Sequence, residues 1–118
     1  MDYEDRILDH YKNPRNYGKI EGGISGTAGD LLCGDVVTIY LKVEGNKVKD
    51  VKFEGEGCAI SIASASILTE LIKGKSLDFL KKMKEKDFLD EVKVVRTRVS
   101  CALVGFRAMK NALKSLDA

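Results

Sequence analysis

Val37, Ile39, Leu41 and Val43 alternate with Thr38, Tyr40, Lys42 and Glu44. A segment with that period has one apolar face and one mixed face, which commits it to a β-strand packed on one side. Gly45-Asn46 follows, a two-residue pair that tolerates positive φ, so the strand turns back on itself as a hairpin. The return strand carries Val51 and Phe53 in one phase and Val48 in the other. One extra residue near Lys49-Asp50, a β-bulge, brings all three to the same face. Gly55 and Gly57 end the strand, and the period then changes. From about Ala59 to Lys73, Ile60, Ala63, Ile67 and Leu71 make one helical stripe and Ile62, Leu68 and Ile72 a second. Ser61, Ser64 and Ser66 are the polar groups between them. A helix apolar nearly all round belongs inside a fold, and Gly74 is a natural residue to close it.

The flanks fit around this hairpin and buried helix. Tyr3, Ile7 and Tyr11, with Leu8 beside them, form the stripe of a first helix that Asn13-Pro14 stops. His10 falls on a polar side of it and reads as a surface residue. Residues from Asn16 to Gly29 are glycine-rich and read as irregular and mobile, with at most a short strand near Ile24–Ala28. Ser76 reads as the N-cap of a short charged helix over about Leu77–Lys84. The nine basic and five acidic residues between Lys73 and Arg98 read as a solvated surface. A last helix opens near Ser100-Cys101, with Ala102, Phe106, Met109, Leu113 and Leu116 on its inner side and Arg107, Lys110 and Lys114 on its outer side. Helix, strands and helices in that order predict an α+β fold. It is a compact two-layer sandwich with a small, about three-stranded antiparallel sheet covered by helices.

With 118 residues, 44% of them hydrophobic, there is core enough for one domain over 1–118. Twenty Lys and Arg against eighteen Asp and Glu leave +2, too near neutral for a nucleic-acid protein. No apolar run approaches the ~18–20 residues of a membrane span, and Met1–Lys12 is too acidic for a signal peptide. The expected location is the cytoplasm, and the expected state a monomer or weak homo-oligomer. An odd number of cysteines in a reducing compartment excludes a disulfide scaffold, and no CxxC pair favours a zinc finger or a thioredoxin.

Each cysteine stands at a junction. Cys33 precedes the first hairpin strand, Cys58 sits at the mouth of the buried helix, and Cys101 opens the last helix. A thiol at a helix N-terminus feels the positive end of the macrodipole, which favours the thiolate that binds soft metals or attacks sulfur. Taken singly, each could equally be a small core hydrophobe; none lies inside an apolar stripe. Asp35 reads either as a strand-edge residue or as an oxygen ligand that joins three thiolates.

Cys33-Gly34-Asp35, the run Gly55-Glu56-Gly57-Cys58-Ala59-Ile60-Ser61-Ile62-Ala63-Ser64-Ala65-Ser66, and Cys101-Ala102 resemble the NifU/IscU/SufU family of iron–sulphur cluster scaffolds. His10-Tyr11-Lys12-Asn13-Pro14-Arg15-Asn16 and Lys73-Gly74-Lys75 match as well, so the resemblance covers nearly the whole chain. It implies a compact α+β sandwich whose three cysteines meet at one exposed end and hold a transient cluster or a zinc ion. Asp35 is then a ligand or near-ligand tied to cluster lability. The implied activity is assembly and transfer of a [2Fe-2S] cluster rather than enzymatic turnover. Persulfide sulfur would come from a cysteine desulfurase to Cys101 or Cys33, and iron would enter at Cys33, Asp35, Cys58 and Cys101. Apo iron–sulphur proteins would receive the product. By the same resemblance, Tyr3, Tyr11, Arg15 and the glycine-rich loop face the desulfurase.

Several positions depart from the family pattern. Ser100 stands where IscU has histidine, and Val94-Val95-Arg96-Thr97-Arg98 replaces its proline-containing chaperone stretch. The Gly-Glu-Gly-Cys wording leans towards SufU, yet the 42 residues between Cys58 and Cys101 leave no room for the SufU insertion. A zinc-containing SufU-type sulfur relay uses the same residues, since zinc accepts a tetrahedral set of three thiolates and a carboxylate. Readings from other classes are a structural zinc module and a thiol enzyme with Cys58 as nucleophile.

Overall fold

The alternating segment is the middle strand of a three-stranded antiparallel sheet ordered β1-β2-β3. The computed structural model describes residues 3–30, 34–93 and 99–116. In chain order they form α1 (Tyr3–Lys12), β1 (Ile24–Asp30), β2 (Asp35–Glu44), β3 (Lys47–Glu56), α2 (Ala59–Ile72), α3 (Leu77–Lys82), α4 (Glu85–Val92), α5 (Val99–Ala102) and α6 (Val104–Leu116). No helix among the described residues is long and apolar enough to cross a membrane.

Register accounts for the core. Ile24, Leu41 and Val51 lie abreast across the sheet, as do Gly26, Ile39 and Phe53, then Ala28, Val37 and Gly55. Val37, Ile39, Leu41, Val51 and Phe53 are fully buried on this face. The pairing shifts between Lys42 and Val43, so Lys49 is the extra residue and Val48 joins the buried face, as the phase change requires. Gly45 and Asn46 both take positive φ, 58° and 67°, in the tight turn.

The glycine-rich stretch holds the short strand expected near Ile24–Ala28, extended to Asp30, and is otherwise more ordered than its reading as an irregular, mobile region. Its second half is β1, paired with β2 along its whole length and covered by α6. A Cβ on Gly26 would overlap the backbone of Ala108 and Ala112 in α6. The small residue is there because helix and strand backbones touch. Its first half is also tied down, since Asn16 and Gly18 exchange backbone hydrogen bonds with Phe53 at 3.0 and 2.8 Å.

α2 is buried along almost its whole length between the sheet, α1 and the α5–α6 region. Lys73 caps it in extended conformation, and Gly74 follows with φ +83°. Ser76 accepts a hydrogen bond from the Phe79 nitrogen at 3.1 Å and starts α3, as expected from sequence. The charged stretch holds a further helix, α4, which buries Phe88 and Val92. Phe88 stacks on Phe106 of α6 with centroids 5.8 Å apart. Residues 94–98, which stand in place of the chaperone stretch, lie outside the described residues.

His10 is 4% exposed, not a surface residue. Its Nδ1 lies 2.7 Å from the Ser66 hydroxyl, which also accepts the Arg15 backbone N–H at 2.8 Å. The Ser66 hydroxyl has one proton and two lone pairs, so it can hold the Arg15 N–H and His10 Nδ1 at the same time, and the histidine tautomer sets the direction of the second bond. The other ring nitrogen faces Glu70 at 3.3 Å. Asn16 donates to Thr69 at 3.0 Å, completing a polar buckle between the end of α1 and α2. Burial, reinforced by the positive charges of Arg15 and Arg6, lowers the His10 pKa against the opposing pull of Glu70 and Asp9. Below an ordinary histidine pKa of about 6.5 the unfolded chain therefore takes up a proton that the folded chain resists. Stability is full above that pH and declines as pH falls through the folded pKa. Urea unfolding of the wild type between pH 7.5 and 5.5 should show this slope, and His10→Gln should flatten it; equal slopes would exclude His10 as its source.

Candidate metal centre

Asp35 opens β2, and Cys58 is the residue that precedes α2 at its N-cap. The β2–β3 register joins them: Val36 pairs with Glu56, so Asp35 lies beside Gly57 and Cys58 although 23 positions separate it from Cys58. Gly57 takes φ +155°, and a Cβ there would enter the Asp35 carboxyl group. Glycine is thus required both by the backbone conformation and by the carboxylate.

Cys58 makes no side-chain cap for α2. Asp35, 1% exposed, does so from outside the helix: its Oδ1 accepts the Cys58 backbone N–H at 2.9 Å. A carboxylate at that point also faces the positive end of a 14-residue helix. Its other oxygen, Oδ2, accepts a short hydrogen bond from the Ser61 hydroxyl and lies 3.6 Å from Cys58 Sγ. Ser61 Oγ is itself 3.6 Å from Cys58 Sγ and 3.2 Å from the Cys101 carbonyl oxygen. A single buried hydroxyl thereby touches groups from β2, α2 and α5.

Cys101 is 1% exposed and lies within α5. The expectation that it opens the last long helix is corrected: the chain turns at Leu103 and α6 starts at Val104. Four residues of helix supply little macrodipole, so the helix-terminus argument made from sequence does not apply to Cys101. Ser100 is inside α5 and does not cap α6. One ligand atom each from Asp35, Cys58 and Cys101 lie within 4.8 Å of one another, and neither cysteine is in a disulfide. Two ligands about 2.3 Å from one tetrahedral zinc ion stand roughly 3.8 Å apart, so the three groups need to contract by only about 1 Å. Thiol, thiol and carboxyl are a donor set that suits zinc or iron.

Cys33 lies outside the described residues, as does the side chain of Tyr3. Tyr11 is half exposed, and Arg15 pairs with Asp9 at 2.6 Å. The Arg15 backbone is tied to Ser66, eight positions along α2 from Cys58 and roughly 12 Å along the helix axis. The structure does not bring these two to the metal-ligating cluster. Ser61 is the site residue that sequence reasoning missed. Its spacing of three from Cys58, which returns it to the same side of the first helical turn, is the signal that would have found it.

Comparison with known proteins agrees with the architecture. A family model for the NifU-like N-terminal domain matches residues 2–118. The chain is 40% identical over 117 residues to the iron-sulfur cluster assembly scaffold protein IscU 1 of Archaeoglobus fulgidus, covering 98% of this chain and 69% of that protein. It is 36% identical over 118 residues to the scaffold protein IscU of Escherichia coli, covering 96% and 92%. A crystal structure of the SUF-system scaffold protein from Fervidobacterium islandicum superimposes with a TM-score of 0.75 at 34% identity, covering 92% of this chain and 94% of that one. The N-terminal domain of a NifU-like protein from Brucella abortus shares the fold with a TM-score of 0.81 at 24% identity, covering 98% and 94%. The buried helix capped by a carboxylate, the cysteine at its mouth and the matches across nearly the whole chain have one explanation: this chain belongs to the NifU N-terminal domain family.

Proposed function

We propose that the chain is a scaffold on which a [2Fe-2S] cluster is assembled at Cys33, Asp35, Cys58 and Cys101 and then passed on. The observation that carries this reading is the convergence of Asp35, Cys58 and Cys101 donor atoms within 4.8 Å at the mouth of α2. Sulfur would arrive as the persulfide of a cysteine desulfurase. The thiolate of Cys101 or Cys33 attacks the terminal sulfur, taking it as a new persulfide and releasing the desulfurase thiolate. That sulfur is at the zero oxidation state and needs two electrons to become sulfide. One comes from an iron(II) that becomes iron(III) and one from an external reductant, so two iron(II), two such sulfurs and two external electrons make one oxidised [2Fe-2S] cluster, which is the cargo. Thiolates suit an iron–sulphur cluster, whereas a carboxylate oxygen matches it less well, so Asp35 makes the product easier to give away to an apo-protein.

Anaerobic reconstitution with iron(II), a thiol reductant, a cysteine desulfurase and its cysteine substrate is the test. The wild type should develop visible sulfur-to-iron charge-transfer absorption, with iron and sulfide bound in equal amounts; absence of that absorption would overturn the scaffold reading. Asp35→Ala should form the same chromophore but lose it to a chelator at least several-fold more slowly. An unchanged decay would remove Asp35 from the site. A second reading, a zinc-bound sulfur relay for a desulfurase, has support in the same triad, which is small enough to enclose one ion. It expects faster desulfurase turnover with the zinc-loaded protein and no chromophore.

A further inference from the structure

Ser61 is fully buried, and its hydroxyl proton has three acceptors within reach: Asp35 Oδ2, the Cys101 carbonyl oxygen at 3.2 Å and Cys58 Sγ at 3.6 Å. It can serve one of them at a time. The Asp35 oxygen in question is the one turned towards Cys58 Sγ, and hence towards the space that the three metal-ligating groups share. The other carboxylate oxygen is committed to the Cys58 backbone N–H.

We propose that Ser61 weakens the grip of Asp35 on metal by holding the very oxygen that would bind it. This rests on the site assignment made above. A proton donated to Oδ2 withdraws charge from that oxygen and competes for its lone pairs, so the carboxylate binds metal less strongly than an unencumbered one. When metal does take Oδ2, the hydroxyl turns to the Cys101 carbonyl and is not left without a partner. A buried hydroxyl with no second acceptor would oppose the exchange through the cost of an unsatisfied polar group; here that cost is absent in both arrangements. Asp35 stays oriented throughout by its bond to the Cys58 N–H. Ser61 is a positioning residue that does not itself contact the cargo, and its effect is to keep the site exchangeable.

The usual role for a hydrogen-bond partner of a ligand is to orient it, and removing such a partner weakens metal binding by about 10–100-fold. Competition for the oxygen predicts the opposite sign. The experiment is zinc(II) titration of anaerobic apo-protein against a chromophoric chelator, with wild type, Ser61→Ala, Ser61→Thr, Asp35→Ala and the Ser61→Ala/Asp35→Ala double variant. Thermal melts check that each is folded. Ser61→Ala should bind zinc on the order of tenfold more tightly than wild type, the scale of one hydrogen bond to a charged group. Ser61→Thr, which keeps the hydroxyl, should stay close to wild type. In the Asp35→Ala background the Ser61 effect should vanish, because the two residues act through one contact. Equal or weaker binding by Ser61→Ala, or a gain that persists without Asp35, would overturn the proposal. The site assignment is tested separately by Cys58→Ala: zinc binding indifferent to that change, or no binding by wild type, overturns both.

Discussion

Cys58→Ala should leave a folded protein that no longer retains metal. Folding should survive because α2 does not depend on the thiol. Asp35 receives the Cys58 backbone N–H, and Cys58 makes no side-chain cap of its own. Alanine preserves that backbone donor. Cys58 is also only partly buried, so loss of its sulfur leaves little cavity and should change stability by about 1 kcal/mol or less. Metal binding is a different matter. Apparent binding energies of four-ligand zinc sites are about 10–16 kcal/mol. Losing one ligand of four therefore removes roughly 3 kcal/mol, a weakening of more than ~100-fold. Metal analysis after desalting, beside a thermal melt, checks both halves. Wild-type metal content in the variant would exclude Cys58 as a ligand, and a collapsed melt would show that its role is structural.

Gly26→Ala should produce the largest loss of stability, although it adds one methyl group in an edge strand. The added carbon would meet the Ala108 carbonyl and the Ala112 backbone of α6. A side chain can evade overlap by changing rotamer, but helix backbone cannot, so α6 as a whole must lift from β1. That movement would open the row Gly26–Ile39–Phe53 beneath it. Overpacking in cores costs about 1–3 kcal/mol when side chains can adjust; with backbone on the other side, ~3 kcal/mol or more is expected. For a domain of this size that corresponds to a fall in Tm of roughly 10 °C or more. Urea unfolding with Gly29→Ala as a comparison measures it, since a Cβ there would meet the Asp35 carbonyl oxygen at 3.0 Å rather than overlap a helix. A loss no larger at Gly26 than at Gly29 would show that α6 has slack against β1.

The difference between these two positions also explains what could and could not be read from the sequence. β2, β3, the bulge at Lys49 and α2 were legible because each carries its own period in large apolar residues. β1 shows in the sequence only as a short strand near Ile24–Ala28, without its full length or its cover, since its inward positions after Ile24 are Gly26 and Ala28. Their smallness records the nearness of α6, which is not information local to the strand. α4 was hidden for a related reason: it buries two residues, Phe88 and Val92, in a stretch dominated by charge. His10 was misread because its environment is set by Ser66 and Glu70, far along the chain. At the site, Cys58 and Asp35 stood out by residue type, and the hairpin register brought them together. Ser61 did not stand out, because a serine among alanines reads as a small residue in a packed helix.

The extra residue at Lys49 gives the hairpin a rule about length. On the Asp50 side of it the inward positions of β3 are odd-numbered, and on the turn side they are even, so a single unpaired residue takes up the change of phase. Losing Lys49 would leave Val48 two positions from Val51, so plain alternation would keep both inward with Val48 still opposite Val43. The tip can therefore give up that residue and keep its faces. Losing a paired residue such as Lys42 has no such remedy, because it would set Val43 out of phase with Leu41 on its own strand. The hairpin carries one dispensable position, and the register marks which one it is.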